Sequence, residues 1–362
     1  MDLIRTVAII GVILLHAAND LTIQTMSTLE SFRWTTVDFY ETIGRTGVPL
    51  FVMLTGALLL QPSKLNESIG TFFKKRWVRV GLPFIFWGAA YFAWDFLVDH
   101  QINSQPISSS SIIQGLLNGP YYQFWYLYML VGLYLFTPIL RIVVAHAERN
   151  LVKYIIVVWF VGVAVLPLLG LFGPYYLNNE VLTIPEYIGY FLLGIFLLSV
   201  QVRRRNVVLL MSIGLGLTVI GTYALAATVG GGEMYFFQQY LSPTMILAAV
   251  MLFLLLNTIK APPNQKVTNL KEANKIETNS KGSGHPKAAW LLHKISENTL
   301  PIFLFHIMIL ESLERGYFGF ALNGNTVNSI IGVPLATVIT LFICLGIIIA
   351  LKKVPFLTRL IG

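Results

Sequence analysis

Long apolar runs recur along the chain, separated by short polar segments. Most runs approach the roughly 20 residues that an α-helix needs to cross a lipid bilayer. The pattern therefore predicts an all-α integral membrane protein, with about ten transmembrane helices in one domain over residues 1–362. The predicted helices lie at 3–20, 46–61, 77–98, 124–146, 152–173, 183–201, 206–229, 240–259, 290–312 and 327–351.

Two segments depart from this regular pattern. The second run is purely apolar only from 48 to 60, so a full-length span has to begin upstream and carry Arg45 into the membrane. Residues 261–288 are rich in Lys, Asn, Ser and Gly, and cannot bury enough apolar surface to fold alone. We predict a flexible cytoplasmic loop there.

The basic residues predict the orientation of the chain in the membrane. With ten spans, all Lys and Arg side chains except Arg33, Arg45 and Arg315 fall on one side. Because cytoplasmic loops carry the excess of positive charge, this arrangement predicts that both termini are cytoplasmic.

Composition narrows the class of protein. The chain is 56% hydrophobic and only 12% charged, whereas a soluble domain carries about 25% charged residues. The net charge of +8 would suggest a nucleic-acid partner in a soluble protein, but these cations lie between apolar runs. We expect a lipid bilayer as the surroundings, no nucleic acid, and no cysteine-based metal site, because Cys344 is the single cysteine.

The first predicted helix contains two residues that a bilayer should exclude, Arg5 and His16. They are eleven residues apart, which places them within about 20° of one helical face and roughly 16 Å apart along the axis. Arg5 would lie near the inner surface and could bind an anionic phosphate. His16, deeper in the membrane, could accept a proton from a hydroxyl.

A structural interpretation of this pair is equally open. Arg5 can extend to the membrane surface as a topology anchor, and His16 can be a hydrogen-bonded packing contact. Asp2, three residues before Arg5, can orient its guanidinium or simply form a helix-terminal pair.

Further candidates lie at the starts of two helices. Lys75, Arg76 and Arg79 stand at the predicted cytoplasmic start of the third helix, as topology anchors or as a site for cofactor phosphates. Tyr122, Trp125 and Tyr126 begin the fourth helix at the outer interface, where they form an aromatic belt or a platform for a sugar ring.

Six segments resemble, in chain order, motifs of the family 3 membrane acyltransferases. They are DLIRTVAII at 2–10 with His16 eleven residues after Arg5, VPLFVMLTG at 48–56, RWVRVGLP at 76–83, YQFWYL at 122–127, YFLLG at 190–194 and IFLFH at 302–306, which ends at His306. The resemblance covers nearly the whole chain and is closest to stand-alone members that O-acetylate surface polysaccharide.

The resemblance implies transfer of an acyl group, commonly acetyl, to a hydroxyl of a cell-envelope glycan or glycolipid. Acyl-CoA from the cytosol, such as acetyl-CoA, would be the co-substrate, and the protein would be a multi-pass protein of the cytoplasmic (inner) membrane. Arg5 and His16 match the pair essential in the family, and Arg76 and Arg79 match its basic motif for the CoA phosphates. Gln123 stands where the family often has His.

The resulting hypothesis makes His16 a general base and leaves the choice between direct transfer and an acyl-enzyme open. Arg5, the second catalytic residue, would lie with Arg76 and Arg79 near the CoA phosphates, Lys75 would join them there, and Asp2 would orient Arg5. The thioester would extend toward His16. The acceptor would contact Arg45, Tyr122, Trp125, Tyr126 and His306. The alternatives are a transporter or flippase that moves its ligand unchanged, and a sensor or scaffold that does not depend on Arg5 or His16.

Overall fold

The computed structural model describes residues 1–25, 32–102, 119–172, 186–229, 232–258, 286–322 and 327–362, together with 113, 115 and 117. Its architecture is helical. The α-helices are α1 Asp2–Thr25, α2 Phe32–Arg45, α3 Gly47–Leu59, α4 Ile69–Arg76, α5 Leu82–Ile102, α6 Trp125–His146, α7 Arg149–Phe160, α8 Leu166–Phe172, α9 Ile188–Leu197, α10 Arg204–Thr228, α11 Pro243–Thr258, α12 Pro286–Glu297, α13 Thr299–Glu314, α14 Ser329–Leu351 and α15 Pro355–Ile361. Helices α4 and α5 are joined by a π-helical turn, Trp77–Gly81, as are α7 and α8 by Val161–Val165.

The predicted membrane architecture is confirmed in its general form. Seven segments of the described chain are long and apolar enough to cross a membrane: Asp2–Asn19, Phe32–Leu59, Tyr122–His146, Arg149–Leu168, Arg204–Thr228, Gly232–Thr258 and Ser329–Leu351. The other three predicted runs coincide with α5, α9 and the pair α12 and α13. The total of ten spans and the cytoplasmic termini stay predictions.

The predictions for the second span and for residues 261–288 have different outcomes. The second span does begin upstream, because α2 and α3 together form the apolar stretch Phe32–Leu59, with Arg45 at the end of α2. The predicted loop at 261–288 falls on undescribed residues up to 285. Its last three residues were predicted wrongly, because α12 begins at Pro286 and a proline is well suited to a first helical turn.

Helix α1 occupies the centre of the described structure. It contacts α2, α3, α11, α12, α13 and α14. Its residues Ile4, Ala8, Ile9, Val12 and Ile13 are almost fully enclosed. The helix that carries the predicted Arg5 and His16 is therefore surrounded by protein along much of its length.

Glycines allow this close packing. Gly47 lies against Ala8, and Gly44 lies against Gly11 and Leu15, so α1 and the α2–α3 segment run antiparallel with their backbones in contact. A second such contact joins α3 to α9, where Gly56 lies on the backbone of Phe191 and Gly194 lies on that of Met53. Small residues at helix contacts are how membrane helices gain dispersion energy where the hydrophobic effect is absent.

A buried arginine is neutralised beside the polar segment that follows α3. Arg141 of α6 is 5% exposed, donates from Nε to the Leu59 carbonyl at 2.8 Å, and pairs with Glu67 at 3.0 Å. Lys75 binds the other oxygen of Glu67 at 2.6 Å. The hydrogen bonds from Lys75 and then Arg141 lower the pKa of Glu67 below its ordinary value of 4.5, so this carboxylate is ionised at neutral pH.

We predict that Gly56→Ala destabilises the protein while Gly216→Ala does not. A methyl group at Gly56 would overlap the Phe191 backbone, whereas one at Gly216 of α10 would meet open space. Overpacking costs about 1–3 kcal/mol, and Gly→Ala in an unobstructed helix is neutral or favourable. Thermal unfolding in detergent compares the two variants, and equal midpoints would contradict the proposed contact between α3 and α9.

We also predict that Glu67→Gln destabilises the protein in a pH-dependent way, because it leaves Arg141 buried without its anion. A carboxylate whose folded pKa is lowered contributes its full stabilisation above its unfolded pKa. It loses that stabilisation as the pH falls through the folded value. The midpoint difference between wild type and variant should therefore be largest above pH 4.5 and shrink in more acidic solution. A difference that stays constant with pH would be inconsistent with this role.

Candidate active site

A cavity of about 540 Å³ opens between α1, α3, α6, α12 and α13, beside the end of α4 and the π-helical turn that follows it. This volume lies in the usual range for a small-molecule site. Its wall is apolar at one end and cationic at the other. The residues that line it are Arg5, Phe51, Leu54, Thr55, Leu58, Leu59, Gln61, Lys64, Arg76, Arg79, Val80, Tyr126, Leu130, Tyr134, Ser296, Glu297, Thr299, Leu300, Pro301, Phe303 and Gly362.

The structure brings together three of the predicted cations at this cavity, Arg5, Arg76 and Arg79. Arg76 ends α4 and Arg79 lies in the π-helical turn that follows. Arg76 also rests over the ring of Tyr134 at 5.8 Å, which restricts its orientation. Neither arginine forms an ion pair with the described residues, although Arg76 also hydrogen-bonds to the Tyr134 side chain. Arg76 Nε is buried without a hydrogen-bond partner in the described structure.

Lys75 does not join this group. Its ammonium is paired with Glu67, its side chain is 57% exposed, and it is not part of the cavity wall. On a helix, the residue next to Arg76 is turned by about 100° away from it, which explains why Lys75 reaches Glu67 and not the cavity.

Asp2 lies beside Arg5, as the spacing predicts, with 3.9 Å between their charged atoms. It also accepts a hydrogen bond from Ser296 at 3.1 Å and faces His293 at 3.5 Å. Asp2 therefore ties the start of α1 to α12 as well as to Arg5.

His16 and His306 form a pair, with ring centroids 5.2 Å apart. His306 is fully buried, and its Nδ1 lies 2.7 Å from the Phe303 carbonyl. A carbonyl can only accept, so Nδ1 carries the proton and Nε2 keeps a free lone pair. His306 Nε2 and His16 Nδ1 are both buried without a hydrogen-bond partner in the described structure. The pair is thus equipped to accept a proton.

Aromatic rings connect the cavity to the histidine pair. Tyr126 and Phe303 line the cavity, with ring centroids 5.0 Å apart. Phe303 in turn lies 5.9 Å from His306. On another side of His16, the ring of Tyr122 lies 5.3 Å away. Neither histidine lines the cavity itself, and Phe303 is the residue that contacts both its wall and His306.

Arg45 and Trp125 lie near a third group of residues. Arg45 is 5.8 Å from the ring centroid of Tyr240 and interacts electrostatically with His16. Trp125 packs against Tyr240 at 5.6 Å and against Tyr187 at 5.8 Å. Tyr126, by contrast, belongs to the cationic cavity, so the residues predicted to meet one ligand are divided between two places.

Sequence reasoning missed several polar residues at these places. Lys64 and Glu297 line the cavity, where Glu297 is paired with Lys294 at 3.0 Å. Glu297 is therefore already paired with a cation of its own helix. Lys64 was assigned only to topology, since nothing local distinguishes a loop lysine that meets a ligand from one that anchors a helix.

Comparison with known proteins adds one finding. The model of acyltransferase family 3, described as an acyltransferase domain, matches residues 1–349. No curated protein and no solved structure matches the chain. The matched range includes both histidines and the described cationic residues of the cavity.

Proposed function

The chain belongs to acyltransferase family 3. We propose that this multi-pass membrane acyltransferase transfers an acyl group, acetyl in the reaction considered below, from acyl-CoA to a hydroxyl of a cell-envelope glycan or glycolipid. Its location would be the cytoplasmic membrane. The observation that carries the proposal is the cationic cavity joined through Tyr126 and Phe303 to the His16–His306 pair.

The proposal that acyl-CoA is the acyl donor rests on the charge and shape of the cavity. Arg5, Arg76 and Arg79, with Lys64, supply donors to the phosphates of CoA, for which arginine is well suited because its planar fork can bind two oxygens at once. The apolar end of the cavity suits the less polar arm that carries the thioester.

The chemical half rests on the histidine pair. One histidine accepts the proton of the acceptor hydroxyl, and the oxygen attacks the thioester carbonyl carbon. The C–O bond forms, the C–S bond breaks, and the histidine returns the proton to the CoA thiolate. The products are the acyl ester and CoA-SH. In the alternative route, the histidine first takes the acyl group from the thioester and CoA leaves. The acceptor hydroxyl then attacks the acyl-histidine.

We predict that His16→Ala lowers the transfer rate by about 10²–10⁴-fold, the usual contribution of a general base. His146→Ala is the matched control, because this exposed histidine lies at the end of α6. The measurement is the rate at which label moves from radioactive acetyl-CoA to a crude glycolipid fraction, at equal amounts of inserted protein.

Two results would contradict the proposal. Full activity of His16→Ala would exclude His16 as the base. If wild-type protein leaves all label on CoA while it moves a glycolipid across vesicles, the transporter alternative would be correct.

We predict that Arg79→Gln weakens CoA binding by about tenfold or more, since it removes a charge-assisted hydrogen bond. Lys75→Gln, four residues earlier, should leave affinity unchanged because Lys75 is outside the cavity. Titration of CoA into protein in nanodiscs measures both. Equal losses in the two variants would show that the basic segment attracts CoA only through its overall charge.

A further inference from the structure

A buried polar cluster lies on the opposite side of His16 from Arg5. We define the Asp38 cluster as Asp38, Glu41 and Arg45 of α2 with Gln238 of the segment before α11. Asp38 is 2% exposed and both Glu41 and Gln238 are 1% exposed. Two carboxylates inside a transmembrane segment are expensive, so their presence calls for a function.

The position of the cluster follows from the antiparallel packing of α1 and α2. Gly44 lies against Leu15, and Asp38 comes six residues earlier, about 9 Å farther from Arg5 along the helix axis. Arg45 interacts electrostatically with both His16 and Asp38. The cluster therefore adjoins the histidine pair from the side that faces away from the cationic cavity.

The hydrogen bonds of the cluster are incomplete. Gln238 Nε2 donates to Asp38 Oδ1 at 2.6 Å. Asp38 Oδ2 and Gln238 Oε1 are buried and accept no hydrogen bond in the described part of the chain. Buried oxygens are nearly always satisfied by protein, water or ligand, and both of these atoms require a donor. A ligand that suits them brings hydroxyl groups, not another anion.

Aromatic rings stand beside Arg45 of the cluster. Arg45 lies over Tyr240, and Tyr240, Trp125 and Tyr187 form a connected group of rings, here called the Trp125 wall. Trp125 is 36% exposed, so the wall has an accessible edge. Aromatic faces beside a few fixed polar atoms are the usual composition of a site for an amphipathic ring.

We propose that the Asp38 cluster and the Trp125 wall bind a sugar ring of the acyl acceptor. This inference rests on the function proposed above and specifies its acceptor. The ring packs on the wall and donates hydroxyl hydrogens to Asp38 and Gln238, while another hydroxyl faces His16. Arg45 Nε is also buried without a partner in the described structure, but the two carboxyl groups of the cluster outnumber this one cation, so the site selects an uncharged sugar over a uronate.

The first test uses octyl β-glucoside and octyl β-glucuronide as acceptors for labelled acetyl-CoA, with the protein in nanodiscs. Asp38→Asn keeps the shape and removes the charge, and Trp125→Leu shortens the wall. We expect each to raise the half-saturating glucoside concentration about tenfold, with the KM for acetyl-CoA unchanged. Wild type should prefer the glucoside to the glucuronide.

Matched controls are Glu233→Gln and Trp290→Leu, both at exposed positions outside the cluster and the wall. These variants should keep the wild-type values. An unchanged glucoside requirement in Asp38→Asn and Trp125→Leu, or equal use of the two glycosides, would overturn the sugar site while leaving acyl transfer intact.

A second measurement does not depend on transfer. Dicyclohexylcarbodiimide modifies carboxyl groups in membranes, and mass spectrometry locates the modified residue. Octyl β-glucoside should slow modification of Asp38 without acetyl-CoA present, and the glucuronide should not. Protection without any acetyl transfer would support the sugar site and refute the proposed function, whereas equal modification with and without glucoside would refute the site.

Discussion

The backbone contact between α1 and the α2–α3 segment is the feature on which the rest of the site depends. Gly11, Gly44 and Gly47 leave no room for side chains at this crossing, so the two segments have one relative position and not a range of them. In a bilayer, helix association relies on such packing because lipid is as apolar as the helix surface. This contact fixes the levels of Arg5, His16, Arg45 and Asp38 relative to one another.

A second constraint is the scarcity of water around polar groups inside a membrane. Arg141 replaces water with protein partners, because it pairs with Glu67 and donates a hydrogen bond to the Leu59 carbonyl. The His16–His306 pair and the Asp38 cluster have only some of their hydrogen bonds, since several of their buried polar atoms have no partner in the described structure. Such atoms are costly unless a ligand or water completes them. The difference separates a structural ion pair from candidate sites for ligands.

Much of this organisation could be predicted from the sequence. The apolar runs gave the membrane class, and the shortness of the second run led to the upstream extension that carries Arg45 into the span. The spacing of Arg5 and His16 predicted that both lie on one side of the first helix, and Arg76 and Arg79 were predicted together as a site for cofactor phosphates. The length of an apolar run and the helical side of a residue depend only on positions along one helix. They can therefore be predicted without knowledge of the neighbouring helices.

The tertiary structure decided which residues meet across helices. It separated Lys75 from Arg76 and Arg79, brought Lys64 to the cavity, and placed His306 beside His16, although 290 positions separate the two histidines in the sequence. It also joined Gln238 to Asp38. The sequence determined what each helix can present to its surroundings, because that depends on local spacing. Only the packing of distant helices decided what each side chain contacts, because no local pattern records the partner on another helix.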